Sequence, residues 1–298
     1  MMANQSFGGP WTERKLKYLR DYLNAYRTIF TGNPKARYFR TWYVDAFAGT
    51  GSRATAATDN TPAPLLDIYE DKDANTEAQE YQDGSAKIAL GLPSPFDNYL
   101  FIEKSRKRVG ELQSVIRSDF SQLFDRCQFR TGDANAEIKE WCAARDWSKE
   151  RAVVFLDPYG MQVEWSTVET LAATKGVDLW YLFPGIARLL RRDGNIDEKW
   201  KARLDILLGT DGWRMRFFQP YRRTDLFGET EGIERTATEE AIQSFILERL
   251  ATCFGKKVAK GLILRNSKSS TLYFLCFAAS NERGARPALN IANSILGD

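Results

Sequence analysis

Four acidic residues, each set where an apolar run gives way to a turn, carry the chemistry this sequence offers. Asp45 closes Trp42-Tyr43-Val44, Glu103 closes Tyr99-Leu100-Phe101-Ile102, Asp133 follows Gln128-Phe129-Arg130-Thr131-Gly132, and Asp157 closes Ala152-Val153-Val154-Phe155-Leu156. Carboxylates so placed accept hydrogen bonds from hydroxyls and amines and sit well beside a cation. After Asp45 comes Ala46-Phe47-Ala48-Gly49-Thr50-Gly51. Gly49 and Gly51 remove side chains from a sharp turn, so an adenosine or a sulfonium can lie against the main chain. A turn that uses glycine only for its backbone freedom accounts for the same spacing. After Asp157 comes Pro158-Tyr159-Gly160. The carboxylate, with the Asp157 or Pro158 carbonyl, can accept the hydrogens of a planar amine while Tyr159 stacks on its ring. An ordinary turn built on Pro and Gly is the plainer account of those residues.

Residue types that are missing narrow the chemistry. The 298 residues include no histidine, which removes the usual general base, the Ser-His-Asp triad, the Cys-His pair and every histidine-ligated metal at once. The four cysteines, Cys127, Cys142, Cys253 and Cys276, are scattered with no C-x-x-C pair, so neither a zinc site nor a disulfide framework is expected, and no metal ligand is assigned. A content of 43% hydrophobic and 27% charged residues suits a folded domain with a large core. The net charge of +3 permits nucleic-acid binding without indicating it. The stretch Met1 to Pro10 has neither a basic segment nor an apolar run. No later stretch approaches the roughly twenty apolar residues of a membrane span. A cytoplasmic protein without membrane contact is the expectation.

Alternating strands and helices must position the acids. Leu16, Leu19, Leu23, Tyr26 and Phe30 recur at spacings of three and four, which predicts an amphipathic helix over 11–30 with Thr12 as its cap. Strands are expected at 42–45, 99–103, 128–133, 152–157 and 177–183, separated by helical patterns, and this order argues for a parallel doubly wound sheet. Ligands of such sheets bind beyond the carboxyl ends of the strands, where Asp45, Glu103, Asp133 and Asp157 then converge. The helix due after Gly51 is postponed to 84–90 by a polar, acidic stretch at 52–83 carrying Pro62 and Pro64, read as an inserted loop or lid. Helical spacing returns at 200–208 and 238–254. The runs 262–264 and 271–278, joined by turn-forming residues, predict a hairpin that closes the far edge of the sheet.

One adenosine cofactor would use each acid separately. Glu103 is placed to accept from ribose hydroxyls, and its distance from Asp45 exceeds the usual spacing by the length of the insertion. Asp133 either accepts from an exocyclic adenine amine or caps the next helix. A methyl sulfonium is reactive enough that alignment and desolvation suffice for transfer, without an imidazole. Residues 185–235 follow the fifth strand and are expected to overhang the crevice as a lid or substrate-recognition segment. They carry Arg188, Arg191, Arg192, Arg222 and Arg223 with Trp200, Trp213 and Tyr221 interleaved. Such a mixture suits phosphates and stacked bases, and charged helix faces with core tryptophans produce the same composition. Arg14, Lys15, Lys17 and Arg20 on the first helix are open to the same two accounts, with Lys15 also within reach of a cofactor carboxylate if that helix folds over the pocket.

The segments WTERKLKYLRDYLNAY, YVDAFAGTGS, DGSAKIAL, YLFIEKS, GDAN, FLDPYGMQVEW, DLWYLFP and STLYFLCFAAS together resemble, in matching order over nearly the whole chain, the three-Cys-motif partner protein family (TcmP). That family is similar to class I S-adenosylmethionine-dependent methyltransferases. The resemblance implies an α/β, Rossmann-like class I methyltransferase fold. Residues 1–184 and 236–298 would form that domain, with a mostly parallel sheet, a C-terminal antiparallel hairpin and helices on both faces. It implies S-adenosylmethionine as cofactor and S-adenosylhomocysteine as product, held by Asp45, Phe47, Ala48, Gly49 and Gly51, by Glu103 and Lys104, and by Asp133 and Ala134. Asp157, Pro158 and Tyr159 become the catalytic motif, and Arg188, Arg191 and Arg192 the candidate substrate contacts. The expected acceptor is a nucleobase, nucleotide or related amine. The expected partner is a three-Cys-motif protein, whose cysteines belong to it and not to this chain. Nucleic-acid amino-methyltransferases carry Pro-Pro after the acid, whereas here a single Pro158 precedes Tyr159, so an oxygen or carbon acceptor also fits. A cofactor-binding regulatory subunit is the alternative function. An ATP- or NAD-binding domain is weaker, since the P-loop lysine pattern is absent.

Overall fold

Five apolar runs pair edge to edge in the computed structural model of the protein, which describes residues 10–50, 84–226, 228–266 and 269–297. Gly51 and the acidic stretch at 52–83 lie outside the described residues. Strands β1 (Arg40–Asp45), β2 (Asn98–Glu103), β3 (Cys127–Thr131), β4 (Glu150–Leu156) and β5 (Val177–Pro184) run parallel in the order β3-β2-β1-β4-β5. Beyond β5, β9 (Thr271–Ala279) pairs antiparallel, and β8 (Leu262–Arg265) pairs antiparallel to β9 at the edge. This seven-stranded order with one reversed strand is the Rossmann-like class I methyltransferase arrangement, and the C-terminal hairpin is where the sequence places it.

Alternation along each strand divides the side chains between two cores, as the pleat requires. Tyr43, Tyr99, Phe101, Val153 and Phe155 face one side, covered by α1 (Pro10–Gly32), α2 (Ser85–Leu90), α3 (Arg106–Asp119) and α9 (Ala285–Ile295). Trp42, Val44, Leu100, Ile102 and Val154 face the other, covered by α4 (Ala134–Ala143), α5 (Trp165–Ala173), α6 (Glu198–Leu208), α7 (Trp213–Phe217) and α8 (Glu239–Phe254). In α1 the buried stripe is Tyr18, Leu19, Tyr22, Leu23 and Tyr26, so the helix is fastened to the sheet by large side chains.

Three local expectations change. Thr12 lies inside the first turn of α1 and is not its cap, because the helix already includes Pro10, a residue that the first turn tolerates. Helix α9, absent from the sequence expectation, likewise carries a proline, Pro287, in its first turn. Between α7 and α8, β6 (Phe218–Asp225) and β7 (Gly228–Arg235) form a two-stranded ribbon outside the main sheet. Its mostly exposed, charged residues lack the apolar alternation that marks a strand. Within 185–235, Leu204, Leu207, Leu208, Trp213 and Phe217 join the core shared with α5 and α8, which anchors this segment to the sheet. No helix among the described residues is long and apolar enough to cross a membrane.

At the opposite end of the sheet from the four acids, Tyr22 donates to Asp178 at 2.6 Å in a buried contact. Burial pushes the Asp178 carboxyl up to about 7, against the opposing pulls of the Tyr22 hydroxyl and Arg151. The folded state therefore binds this proton more tightly than the unfolded chain. The stability it contributes is complete below about pH 4 and is lost as pH rises through about 7, up to about 4 kcal/mol. Asp178→Asn should flatten the fall of denaturant midpoint with rising pH between 4 and 8; an unchanged slope would exclude Asp178 as its source.

Candidate active site

Register alone brings the acids together. Asp45 is the last residue of β1, level with Phe101 of β2 and Phe155 of β4, while Glu103 ends β2 and Asp157 follows β4 directly. The turn after β1 is laced to both neighbours, since the Ala46 amide donates to the Phe155 carbonyl (3.2 Å) and the Ala48 amide to the Ile102 carbonyl (2.9 Å). Gly49 adopts φ +61°, a conformation that favours glycine, and its amide donates to Glu103 Oε2 at 3.3 Å. The other Glu103 oxygen accepts from the Ser105 amide at 2.9 Å. A carboxylate has about four lone-pair directions, so these two bonds orient Glu103 and leave it able to accept from hydroxyls.

Asp45 has no solvent exposure. Ser85, the first residue of α2, donates its hydroxyl to Oδ2 at 2.6 Å, Tyr43 donates to the same oxygen at 3.3 Å, and the Phe47 amide donates to Oδ1 at 3.3 Å. Burial pushes this carboxyl up to about 6; the Ser85 hydroxyl pulls it down, and the neighbouring Asp157 charge raises it again. Ser85 and Tyr43 thus hold Asp45 in the candidate site, and neither is among the site residues expected from the sequence. The Gly84-Ser85 start of the delayed helix was the available signal.

Asp157 is buried, and its Oδ2 lies 2.5 Å from the Lys15 ammonium, which reaches it from α1 across 142 positions of sequence. Lys15 thus meets a carboxylate of the protein itself. Pro158 is buried, Tyr159 is half-buried, and Gly160 turns the chain with φ +64°. Asp133 caps α4: its Oδ1 accepts from the Asn135 and Ala136 amides at 3.0 and 3.2 Å, so the capping account of this residue is realised. Ala134 is buried behind it, Phe47 and Ala48 lie in the β1 turn, and Lys104 is exposed.

The basic residues after β5 are less available than their number suggests. The β5 exit is tight, because a Cβ on Gly185 would come within 2.6 Å of the Thr271 carbonyl oxygen. Arg188 closes a short 3-10 turn (Ile186–Arg188), and Arg191 pairs with Asp193 at 3.1 Å, while Arg192 is exposed. Arg235 braces this turn by donating to the Ala187 and Leu190 carbonyls. Along the ribbon, Arg222 pairs with Glu231 and Arg223 with Glu234, and Arg214 pairs with Asp205. Trp213 is a core residue whose ring NH also donates to Asp205. Trp213, Arg222 and Arg223 therefore follow the charged-face and core account. Among the described residues no group of three His, Cys, Asp or Glu could hold a metal.

No family model matches the sequence, and no curated protein matches it. Among solved structures the chain is similar to a spermidine synthase in complex with the transition-state analogue AdoDATO, at 8% identity over 97% of this chain and 76% of that one, with a TM-score of 0.40. It is similar to a S-adenosylmethionine-dependent methyltransferase from Clostridium acetobutylicum ATCC 824, at 11% identity over 89% and 92% and a TM-score of 0.33. It is also similar to the glycopeptide N-methyltransferase MtfA complexed with S-adenosyl-L-homocysteine, at 9% identity over 86% and 89% and a TM-score of 0.32. Likenesses this distant carry nothing about chemistry, and the fold assignment rests on the strand order itself.

Ser85→Ala tests how Asp45 is held. Loss of the donor should cost about 1–3 kcal/mol of stability. It should also move the Asp45 titration upward from about 6, read by carboxyl 13C NMR. An unmoved midpoint would show that the Ser85 contact does not govern this carboxylate.

Proposed function

We propose that this protein is an S-adenosylmethionine-dependent methyltransferase of the three-Cys-motif partner type, acting on a nucleobase, nucleotide or related amine-bearing acceptor. The observation that carries the reading is the convergence of Asp45, Glu103 and Asp157 at the carboxyl ends of adjacent strands, around a turn in which Gly49 takes a positive φ. The donor set fits the cofactor: carboxylates match ribose hydroxyls, an amino group and a positive centre, whereas NAD and ATP bring phosphates that this end of the sheet would repel. S-adenosylmethionine bound there would supply a methyl group on a sulfonium.

The chain's own work is then alignment. Asp157 accepts a hydrogen bond from the acceptor N–H, the Pro158 backbone fixes the direction of approach, and Tyr159 offers a ring face to a planar acceptor. Arg188, Arg191 and Arg192, at the exit of β5, are proposed to meet the rest of the acceptor. A nucleic-acid acceptor is supported less, because the ribbon sets three arginines against four acids and so draws no phosphate backbone by charge. The regulatory-subunit reading draws on one observation, that Lys15 already engages the Asp157 carboxylate.

Calorimetric titration should show binding of S-adenosylmethionine and S-adenosylhomocysteine and none of NAD or ATP; a folded protein that binds neither sulfur compound overturns the proposal. Asp157→Asn should lower production of S-adenosylhomocysteine by at least about 100-fold while S-adenosylhomocysteine still binds. Asparagine is preferred to alanine, because its amide oxygen can still accept from the buried Lys15 ammonium and it keeps the shape of the side chain, so that only the charge is removed. Undiminished turnover in Asp157→Asn would favour the subunit reading or a different acceptor geometry.

A further inference from the structure

The Lys15–Asp157 pair is out of water on both sides, with side-chain exposures of 2% and 6%. It is also held from behind. Leu19, Tyr22 and Leu23, the next turns of α1, are each at most 1% exposed and pack on the sheet face that carries Tyr43 and Phe155. Tyr22 is further tied to Asp178. Lys15 therefore cannot leave Asp157 by a hinge of α1 without opening that core, and the pair is a lasting part of the crevice. Close by, Asp45 feels the Asp157 charge and is itself held by Ser85, Tyr43 and the Phe47 amide.

We infer that Lys15 is a positioning residue that serves as the built-in counter-ion of Asp157, so that this end of the crevice presents an oriented but electrically balanced carboxylate. The inference rests on the methyl-transfer reading above. Its consequence is specificity by charge. A methyl donor that is a sulfonium cation and a product that is a neutral thioether differ by one positive charge. An unbalanced Asp157 would hold the donor more tightly than the product, and an unbalanced Lys15 would do the reverse. The balanced pair discriminates little between them. It likewise gives a cationic alkylamine no electrostatic reason to enter, whereas a neutral planar amine can donate to Asp157 without displacing the ammonium. The Lys15–Asp157 contact thus selects an acceptor of the aminated heteroaromatic class over an alkylammonium.

Opposite signs make the test. In calorimetric titrations of the full chain, the ratio of the S-adenosylhomocysteine Kd to the S-adenosylmethionine Kd should rise about tenfold in Lys15→Met and fall about tenfold in Asp157→Asn. It should return close to the wild-type value in the double variant and stay unchanged in Lys15→Arg, which keeps the charge. A prop that merely braces α1 would move both affinities together and leave the ratio alone. Ratios unmoved in both single variants, with native circular dichroism, overturn the counter-ion role while the methyl-donor reading stands. Failure of the wild type to bind either compound overturns that reading and the inference with it. Should Lys15→Met not fold, Asp157→Asn against Lys15→Arg still gives the deciding contrast.

Discussion

Taking a carboxylate out of water costs several kcal/mol unless donors and cations meet it, and this protein does so repeatedly at one end of one sheet. The solution differs at each strand. Asp45 is satisfied by two hydroxyls and an amide, Glu103 by two amides of flanking turns, and Asp157 by an ammonium from a distant helix. Each solution recruits a different element, so α1, α2 and the glycine turn each serve one acid. The site is thereby preorganised: the groups that a ligand would meet are already oriented by partners that do not have to move.

Rigidity behind the acids comes from aromatic mass. On the face under α1, Tyr22 packs edge-on to Trp180 at 5.3 Å between ring centroids and against Phe277 at 4.9 Å, while Tyr43 lies among Phe96, Tyr99 and Phe101. Such side chains bury large areas and have few rotamers to lose. They fix the height of Lys15 above the strand ends. On the opposite face Trp42, Trp141 and Trp147 stack edge to face and set α4 against β1, whose last residue is Asp45. Position at the site is thus inherited from packing well away from it.

Charge is settled locally elsewhere in the fold. Several arginines of the segment after β5 pair with neighbouring acids, across the ribbon in the case of Arg222 and Arg223 and within one helical neighbourhood in the case of Arg214. Exposed pairs of this kind add little stability. What they change is the field, because the ribbon's three arginines stand against four acids.

By itself the sequence determined the strand runs, the acids at their ends, the glycine turn and the C-terminal hairpin, since these rest on side-chain periodicity and turn chemistry within a few residues. The α/β class and the convergence of Asp45, Glu103 and Asp157 follow from that local code together with the rule for doubly wound sheets. The cap formed by Asp133 was legible in the sequence as one of two local options. Only the tertiary structure decided that Lys15 meets Asp157, that Ser85 holds Asp45, and that the ribbon cancels its own arginines. Each of those depends on groups brought together across strands or from far along the chain, where spacing in sequence carries no information about distance in space. The ammonium facing Asp157 is 142 positions away, and it is seated there by the burial of Leu19, Tyr22 and Leu23, a packing outcome that no motif around either residue encodes.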